Sequence, residues 1–265
     1  MPTLCDQVVF YNSCAGAWAA VREVCGSDEE TVGDTGTPSA IALIDRLLVS
    51  VPGTPVGPGS AAALTATDRD RVLAAVHRRV YGTRIRSTLS CGGCADRFDM
   101  DFNLDDLLSG LGRRPDAAEV QALGDGVFQT DSGMQFRLPT GEEECACIGL
   151  SSGEAVGWLA SRCLVRGAGA DEEALQLAME VAGPVADVEL QAQCPECGGV
   201  QPVHFDLQRY VLSGLANERQ GLATEVHLLA RAYGWSRTEI MEMPRSQRKS
   251  SVALVTGDAP VRWDA

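Results

Sequence analysis

Apolar and polar positions along the chain repeat with two different periods, and the change of period divides it into helical and extended stretches. Ile41, Ile44, Leu47 and Leu48 recur at helical spacing and predict a helix over 40–51. Val72, Leu73, Val76 and Val80 predict a second, starting near Thr67 and Asp70 as a capping pair and ending at Gly82. Residues 83–90 and Phe98, Met100 and Phe102 alternate with a period of two, as strands do, and so do 188–193 and 203–207. Val127–Gln129 and Met134–Leu138 flank Thr130-Asp131-Ser132-Gly133, a hairpin turn. Helices are predicted over 153–164 and 171–181. Leu222, Val226, Leu229 and Tyr233 mark one apolar stripe of a C-terminal helix that Gly234 stops. Ser236-Arg237-Thr238-Glu239 then caps a short helix, and 247–255 forms another helix or an extended tail. Weaker patterning in the first part suggests a short helix at Trp18-Ala19-Ala20-Val21 and a loop over 26–39. Residues 51–59, dominated by Pro and Gly, cannot hold regular structure.

Two strand pairs stand out because each encloses a Cys-x-x-Cys. Ser90-Cys91-Gly92-Gly93-Cys94 is followed by Phe102-Asn103-Leu104, and Gln193-Cys194-Pro195-Glu196-Cys197 by Phe205-Asp206-Leu207. Every landmark recurs 103 positions later. Strand, Cys-x-x-Cys turn, strand is the pattern of a zinc-ribbon hairpin. Each copy offers two thiolates, half of a tetrahedral shell of about 2.3 Å zinc–sulfur bonds, so Cys91, Cys94, Cys194 and Cys197 together can close one structural Zn2+ site. A variant site would recruit Cys145 or Cys147. The fold class that follows is α+β: paired zinc-ribbon hairpins, flanking helices and a helical C-terminal tail. The divisions are 1–63 (helices and loops), 64–213 (the ribbon core) and 214–265 (the tail).

Composition narrows the chemistry. Hydrophobic content of 45% supports a sizeable core, and aromatic content of 5% makes it mainly aliphatic. A formal net charge of −14 argues against nucleic acid as partner, since DNA affinity comes largely from Lys/Arg–phosphate contacts. The beginning of the chain, Met1-Pro2-Thr3-Leu4-Cys5-Asp6, has no basic stretch followed by an apolar run, and no segment is apolar enough to insert in a membrane. The expected compartment is the cytoplasm, where cysteines serve as ligands and buried thiols rather than disulfides. Cys5, Cys14, Cys25, Cys145, Cys147 and Cys163 are accordingly expected mostly in the core.

Several other motifs invite chemistry and are read as structure. Gly149-Leu150-Ser151-Ser152-Gly153 spells a nucleophile elbow, but acidic residues precede it where a buried strand should be, so it is a turn opening a helix. His77, His204 and His227 lack ligand spacing to one another. Neither Cys-x-x-Cys opens a helix, as a redox motif requires, so an oxidoreductase is a distant alternative. Asp68-Arg69-Asp70-Arg71 is expected on a solvated face. Arg245-Ser246-Gln247-Arg248-Lys249, a basic cluster in an acidic chain, is a candidate docking segment.

The segment 225–236, Glu-Val-His-Leu-Leu-Ala-Arg-Ala-Tyr-Gly-Trp-Ser, continues through Glu239-Ile240 and Pro244-Arg245. With Asp70-Arg71-Val72-Leu73, Tyr81-Gly82, the first ribbon, Leu138-Pro139-Thr140-Gly141 and the second ribbon, it resembles a family encoded in contractile phage tail and phage-tail-like injection clusters. That family is related to the baseplate hub assembly proteins of contractile-tailed phages. The resemblance covers roughly 67–255. It implies a non-enzymatic tail or baseplate component or assembly factor, with Zn2+ at the four knuckle cysteines. It also implies docking to other baseplate or tail proteins through Tyr233, Gly234, Trp235 and the basic segment, in a particle assembled in the cytoplasm. A zinc-ribbon nucleic-acid or transcription adaptor is the alternative.

Overall fold

The structure, a computed structural model, describes residues 5–10, 18–53, 55–111, 120–167 and 171–257. β1 (Cys5–Val9), β2 (Trp18–Arg22) and β3 (Leu48–Ser50) form an antiparallel sheet in that order. The segment expected to be a short helix at Trp18 is therefore β2. Ala19 and Val21, two apart, are its buried face, and pairing on both edges outweighs the helix propensity of the alanines. The expected loop over 26–39 is also corrected, for α1 (Gly26–Thr31) forms inside it and α2 begins at Thr37. The Asp28 carboxylate closes the first turn of α1, accepting from the Cys25 N–H at 2.9 Å and the Cys25 thiol at 3.0 Å. α2 (Thr37–Leu47) buries Ala40, Leu43, Ile44 and Leu47, one face at helical spacing.

α3 (Ala66–Tyr81) is capped at Thr65, two residues before the expected cap. The Thr65 hydroxyl accepts from the Asp68 N–H, and Thr67 lies buried inside the helix. Gly82, with φ of 82°, ends it. The charged run in its first turns is not a solvated face. Asp68 and Arg69 are buried, and Arg69 ion-pairs with Glu144 while donating to the Leu64 carbonyl at 3.1 Å. Asp70 accepts from the Ala186 N–H at 2.7 Å, and burial pushes its carboxyl up to about 7. These partners lie far away in sequence, so the run alone could not announce them.

Next come β4 (Arg84–Ser90), β5 (Arg97–Asn103) and α4 (Leu104–Gly110). An excursion of one sheet and three helices follows. Its strands β6 (Val120–Gly124), β7 (Val127–Thr130), β8 (Gln135–Arg137) and β9 (Leu164–Arg166) are antiparallel neighbours in that order. α5 (Gly141–Ala146), α6 (Ser152–Cys163) and α7 (Glu172–Ala182) accompany them. Phe128, Phe136, Leu138 and Leu175 make a local core here. Ser151 caps α6, so the Gly-x-Ser-x-Gly spelling is a helix-opening turn. β10 (Asp187–Gln193), β11 (Val200–Asp206), α8 (Leu207–Tyr233), α9 (Arg237–Met241) and α10 (Arg245–Thr256) are the last elements among the described residues. None of the helices among the described residues is long and apolar enough to cross a membrane.

The architecture is thus α+β. Its main core joins Val8 and Ile44, from the segment before residue 64, to Val72 and Leu73 of α3 and Leu207 and Leu212 of α8. Burying each such side chain contributes about 1.5–3 kcal/mol. The expected division at 213/214 falls inside α8, which runs through it unbroken.

The apolar stripe expected on α8 holds at Leu222 and Leu229 but not at its end. Tyr233 is 44% exposed and stacks on Trp235 with ring centroids 4.5 Å apart. Glu225 occupies a buried position between the leucines because the guanidinium of Arg248 lies against it at 2.8 Å. The same Arg248, fully buried, donates to Glu29 of α1 at 2.7 Å. Arg245 reaches Glu29 at 2.6 Å and also pairs with Glu218, while Lys249 reaches Glu225 at 2.5 Å. Burial opposes ionisation of Glu225, yet Lys249 and Arg248 hold its carboxyl below the usual range. The basic cluster is consequently turned inward as an ionic joint between α1, α8 and α10.

Candidate metal centre

The strands that carry the two Cys-x-x-Cys pairs are antiparallel hairpins of equal length, seven residues on each side. Alternation explains their faces: Ile85, Leu89 and Phe98 in the first copy and Ala192 and Phe205 in the second turn inward. The equivalence between copies reaches further than the cysteine spacing implied. Leu104 N–H donates to the Thr83 carbonyl at 2.8 Å, and 103 positions on, Leu207 N–H donates to the Ala186 carbonyl at 2.9 Å. Both leucines are fully buried and each opens a helix, capped by Asn103 and Asp206. Phe102 and Phe205, also equivalent, meet edge to face with centroids 5.1 Å apart. One cross-strand polar pair recurs with its partners exchanged, the Arg84–Asp101 ion pair in the first hairpin and an Asp187–His204 contact (3.0 Å) in the second. The repeated unit is strand, knuckle, strand, helix.

At the tips the two copies come together. Cys91 Sγ lies 3.5 Å from Cys197 Sγ, Cys94 Sγ lies 3.8 Å from Cys194 Sγ, and all four sulfurs fall within 4.8 Å of one another. Sulfurs at the corners of a tetrahedron with bonds of about 2.3 Å stand about 3.8 Å apart. None of the four is in a disulfide. Cys91 and Cys194 are buried among Leu89, Phe98, Ala192 and Val203, while Cys197 is at the surface.

The knuckle backbones repeat as well. Cys91 N–H donates to the Asp96 carbonyl at 2.8 Å, and Cys194 N–H to the Gly199 carbonyl at 2.9 Å. Ala95 N–H returns to the Cys91 carbonyl at 3.0 Å, and Gly198 N–H to the Cys194 carbonyl at 2.9 Å. This loop needs a left-handed residue, which is Gly198 (φ 73°) in one copy and Ala95 (φ 65°) in the other. An alanine pays about 1–2 kcal/mol for that conformation. Ala95→Gly is therefore expected to stabilise the metal-loaded protein by roughly 0.5–1 kcal/mol after the extra freedom of glycine in the unfolded chain is deducted, and Gly198→Ala to destabilise it by a similar amount. Thermal unfolding of both variants checks this, and a lowered midpoint for Ala95→Gly refutes it.

The electrostatics ask for a cation. The backbone N–H groups of Cys94 and Gly93 hold the Cys91 thiol down to about 6; the latter stands 3.3 Å from its sulfur. For Cys94 the Asp96 N–H favours the thiolate, but burial and the other sulfurs push it up to about 12. Cys197 is raised too, its Gly199 N–H outweighed by the neighbouring sulfurs, Cys91 foremost. The Cys91 thiolate forms easily while those of Cys94 and Cys197 are resisted, as like charges in contact must be. A divalent ion at the centre reverses that repulsion and stabilises all four thiolates. The four residues can hold one metal ion, and with four sulfurs around it no coordination position is left for a substrate.

Sequence reasoning missed Gln201. Its side chain crosses from the second hairpin to the first, Oε1 accepting from Gly92 N–H at 2.8 Å and Nε2 donating to the Ser90 carbonyl at 3.1 Å. The equivalent position in the first copy is Phe98, so the signal was a break in the duplication.

The remaining sequence candidates lie apart from the centre. Cys25 and Cys163 are buried as expected, and burial pushes the Cys163 thiol up to about 11. Cys5 is exposed and Cys145 and Cys147 are half-buried, against the expectation of core cysteines; the turns that hold the last two are short and acidic. Neither Cys145 nor Cys147 joins the sulfur cluster, and Cys14 lies outside the described residues. His77 packs between the rings of Tyr81 and Tyr210, and His204 and His227 are at the surface. Exposed Tyr233, at the far end of α8, stacks on half-buried Trp235 just beyond it. Compared with known protein families, curated proteins and solved structures, the chain matches no family model, no curated protein and no solved structure.

Proposed function

We propose that the protein is a non-enzymatic, zinc-stapled component or assembly factor of a contractile-tail baseplate. The observation that carries the structural role is the closed set of four sulfurs contributed equally by two hairpins, which leaves a bound ion nothing to catalyse. Zinc is the ion favoured, because four thiolates in a tetrahedron suit it and Cys-Pro-x-Cys-Gly at 194–198 is a zinc-ribbon string. The family resemblance supplies the tail assembly, and Tyr233, exposed and stacked on half-buried Trp235, is the aromatic surface such a role would use. Placement of both Cys-x-x-Cys pairs in hairpin turns, away from helix N-termini, supports a scaffold over thiol redox chemistry. A net charge of −14 weighs against the nucleic-acid adaptor reading.

Metal analysis of the purified protein is expected to find about one zinc per chain, with no visible absorbance from iron–thiolate bonds. A ratio near two replaces the shared centre with two separate ones, and iron replaces zinc. For the assembly role, co-purification with sheath, tube and hub proteins of a contractile tail expressed together with it is expected, and Tyr233→Ala with Trp235→Ala is expected to weaken it. A chain that co-purifies with none of them removes the assembly reading and leaves the metal centre untouched.

A further inference from the structure

The two copies depart from each other at two places that answer one another. The residue after the leading cysteine is Gly92 in the first knuckle and, 103 positions on, Pro195 in the second. Early in the strand that follows, the corresponding pair is Phe98 and Gln201. Pro195 has a fixed φ and no N–H to satisfy. Gly92 has an N–H, and Gln201 Oε1 accepts from it at 2.8 Å. The copy whose knuckle carries an amide here is served by the copy whose knuckle has none.

The same exchange makes the knuckles unequal in stiffness. Gly92-Gly93 puts the two residues with most backbone freedom to lose between Cys91 and Cys94. Pro195-Glu196 puts a locked φ between Cys194 and Cys197. By itself the first half-shell is the looser one, and its hairpin is held from the second copy instead. Lower on β4, Tyr210 Oη accepts from Arg86 N–H at 3.2 Å and donates to the Arg86 carbonyl at 2.9 Å. At the tip, Gln201 grips both flanks of Cys91, since its Nε2 also donates to the Ser90 carbonyl at 3.1 Å. The peptide fixed at Gly92 precedes the one whose N–H, on Gly93, lies 3.3 Å from Cys91 Sγ. Leu107 and Phe98, the counterparts of Tyr210 and Gln201, have no polar side-chain atoms, so the hold runs one way.

We infer that Gln201 is a positioning residue for the metal centre. It keeps Cys91 and Cys94 in register with Cys194 and Cys197 before an ion arrives, and so does by hydrogen bonds what Pro195 does covalently in its own knuckle. Apparent affinity is the intrinsic affinity scaled by the fraction of chains whose site is already assembled. Without Gln201 the glycine knuckle samples conformations that carry its two sulfurs out of the shell, and that fraction falls. Partners behind the ligands of a metal typically contribute roughly ten- to a hundredfold in affinity. The inference rests on the metal centre proposed above and not on the tail-assembly reading.

Zinc affinity of the full-length protein, measured by competition with a chromophoric chelator, tests it. Gln201→Leu is expected to bind zinc about tenfold more weakly. Cobalt loaded in place of zinc is expected to give the parent's thiolate-to-metal absorption, since all four ligands remain. Gly92→Pro copies the second knuckle and removes the amide that Gln201 serves. In the Gln201→Leu background it is expected to recover most of the lost affinity, and in the parent to add none. In the metal-free protein the Gly92 amide is expected to exchange with solvent more slowly in the parent than in Gln201→Leu. A glutamine of purely structural use lowers the unfolding midpoint but leaves zinc affinity unmoved. An altered cobalt spectrum, a double variant no tighter than Gln201→Leu, or tighter binding by Gly92→Pro in the parent each overturn the inference. A parent that binds no zinc removes the centre and the inference together. A parent that binds one zinc, with a Gln201→Leu variant of equal affinity, overturns the inference alone.

Discussion

Cys194→Ser is expected to loosen both hairpins, although the substitution touches only the second. Cys194 is fully buried beneath the centre, its sulfur 3.8 Å from that of Cys94 in the other copy. A shared metal closes a loop of about a hundred residues; by analogy with a disulfide that closure is worth roughly 4–5 kcal/mol. For a chain of this size the loss corresponds to a melting midpoint lower by roughly 10–15 °C. Limited trypsin digestion gives the sharper readout, because Arg84, Arg86 and Arg97 all lie in the first hairpin. Cleavage there is expected to accelerate in Cys194→Ser and in parent protein treated with chelator, to similar extents. Unchanged cleavage at the first hairpin in the variant means that the knuckles do not share an ion. The direction with pH follows from the ligands: thiolates bind the metal and thiols do not, so acidification favours release and loss of the staple.

Arg248→Met is expected to cost about 3–5 kcal/mol, the typical penalty for removing one partner of a buried ionic network. The side chain of Arg248 is completely buried and donates to carboxylates on two helices, Glu29 of α1 and Glu225 of α8. Without it Glu225 keeps Lys249, while Glu29 keeps Arg245. One carboxylate charge is then uncompensated, and Glu29, where it falls, is closed to water. Gly26 packs close by; a Cβ there would sit 3.0 Å from the Met241 sulfur and 3.2 Å from Arg248 Nη1, so little room exists for relaxation. Arg248→Lys is expected to rescue only in part, since one ammonium cannot reproduce a guanidinium fork. Adding Glu29→Gln to Arg248→Met is expected to recover much of the loss, because Glu218 and Glu225 are then matched by Arg245 and Lys249. Urea unfolding measures all three, and a loss below about 1 kcal/mol for Arg248→Met refutes the buried network.

These two sites were unequally legible in the amino-acid sequence. The hairpins could be read because three local signals coincide at 84–103 and again at 187–206: alternation, a Cys-x-x-Cys turn and a fixed spacing. The meeting of the two copies could be anticipated because each offers half a shell. The ionic joint could not. Ser27-Asp28-Glu29-Glu30 reads as an acidic loop, and Arg245 and Arg248 read as a surface patch, until each is seen to be the partner of the other more than two hundred positions away. A charge run carries no mark of whether its counterion is water or a distant residue. β2 was illegible for a related reason: Ala19 and Ala20 favour a helix by themselves, and only pairing with β1 and β3 decides otherwise. Tyr233 fitted the helical period yet stays at the surface, because periodicity gives direction around a helix and not whether anything lies opposite.

The spacing of the two knuckles also has a meaning in time. A ribosome adding about 5–20 residues per second completes Cys194 some 5–20 s after Cys91, because 103 positions separate them. During that interval the first hairpin holds two thiols with no second pair to finish their shell. The nascent chain therefore waits half-built, with Cys91 and Cys94 open to any soft metal or oxidant that reaches them first.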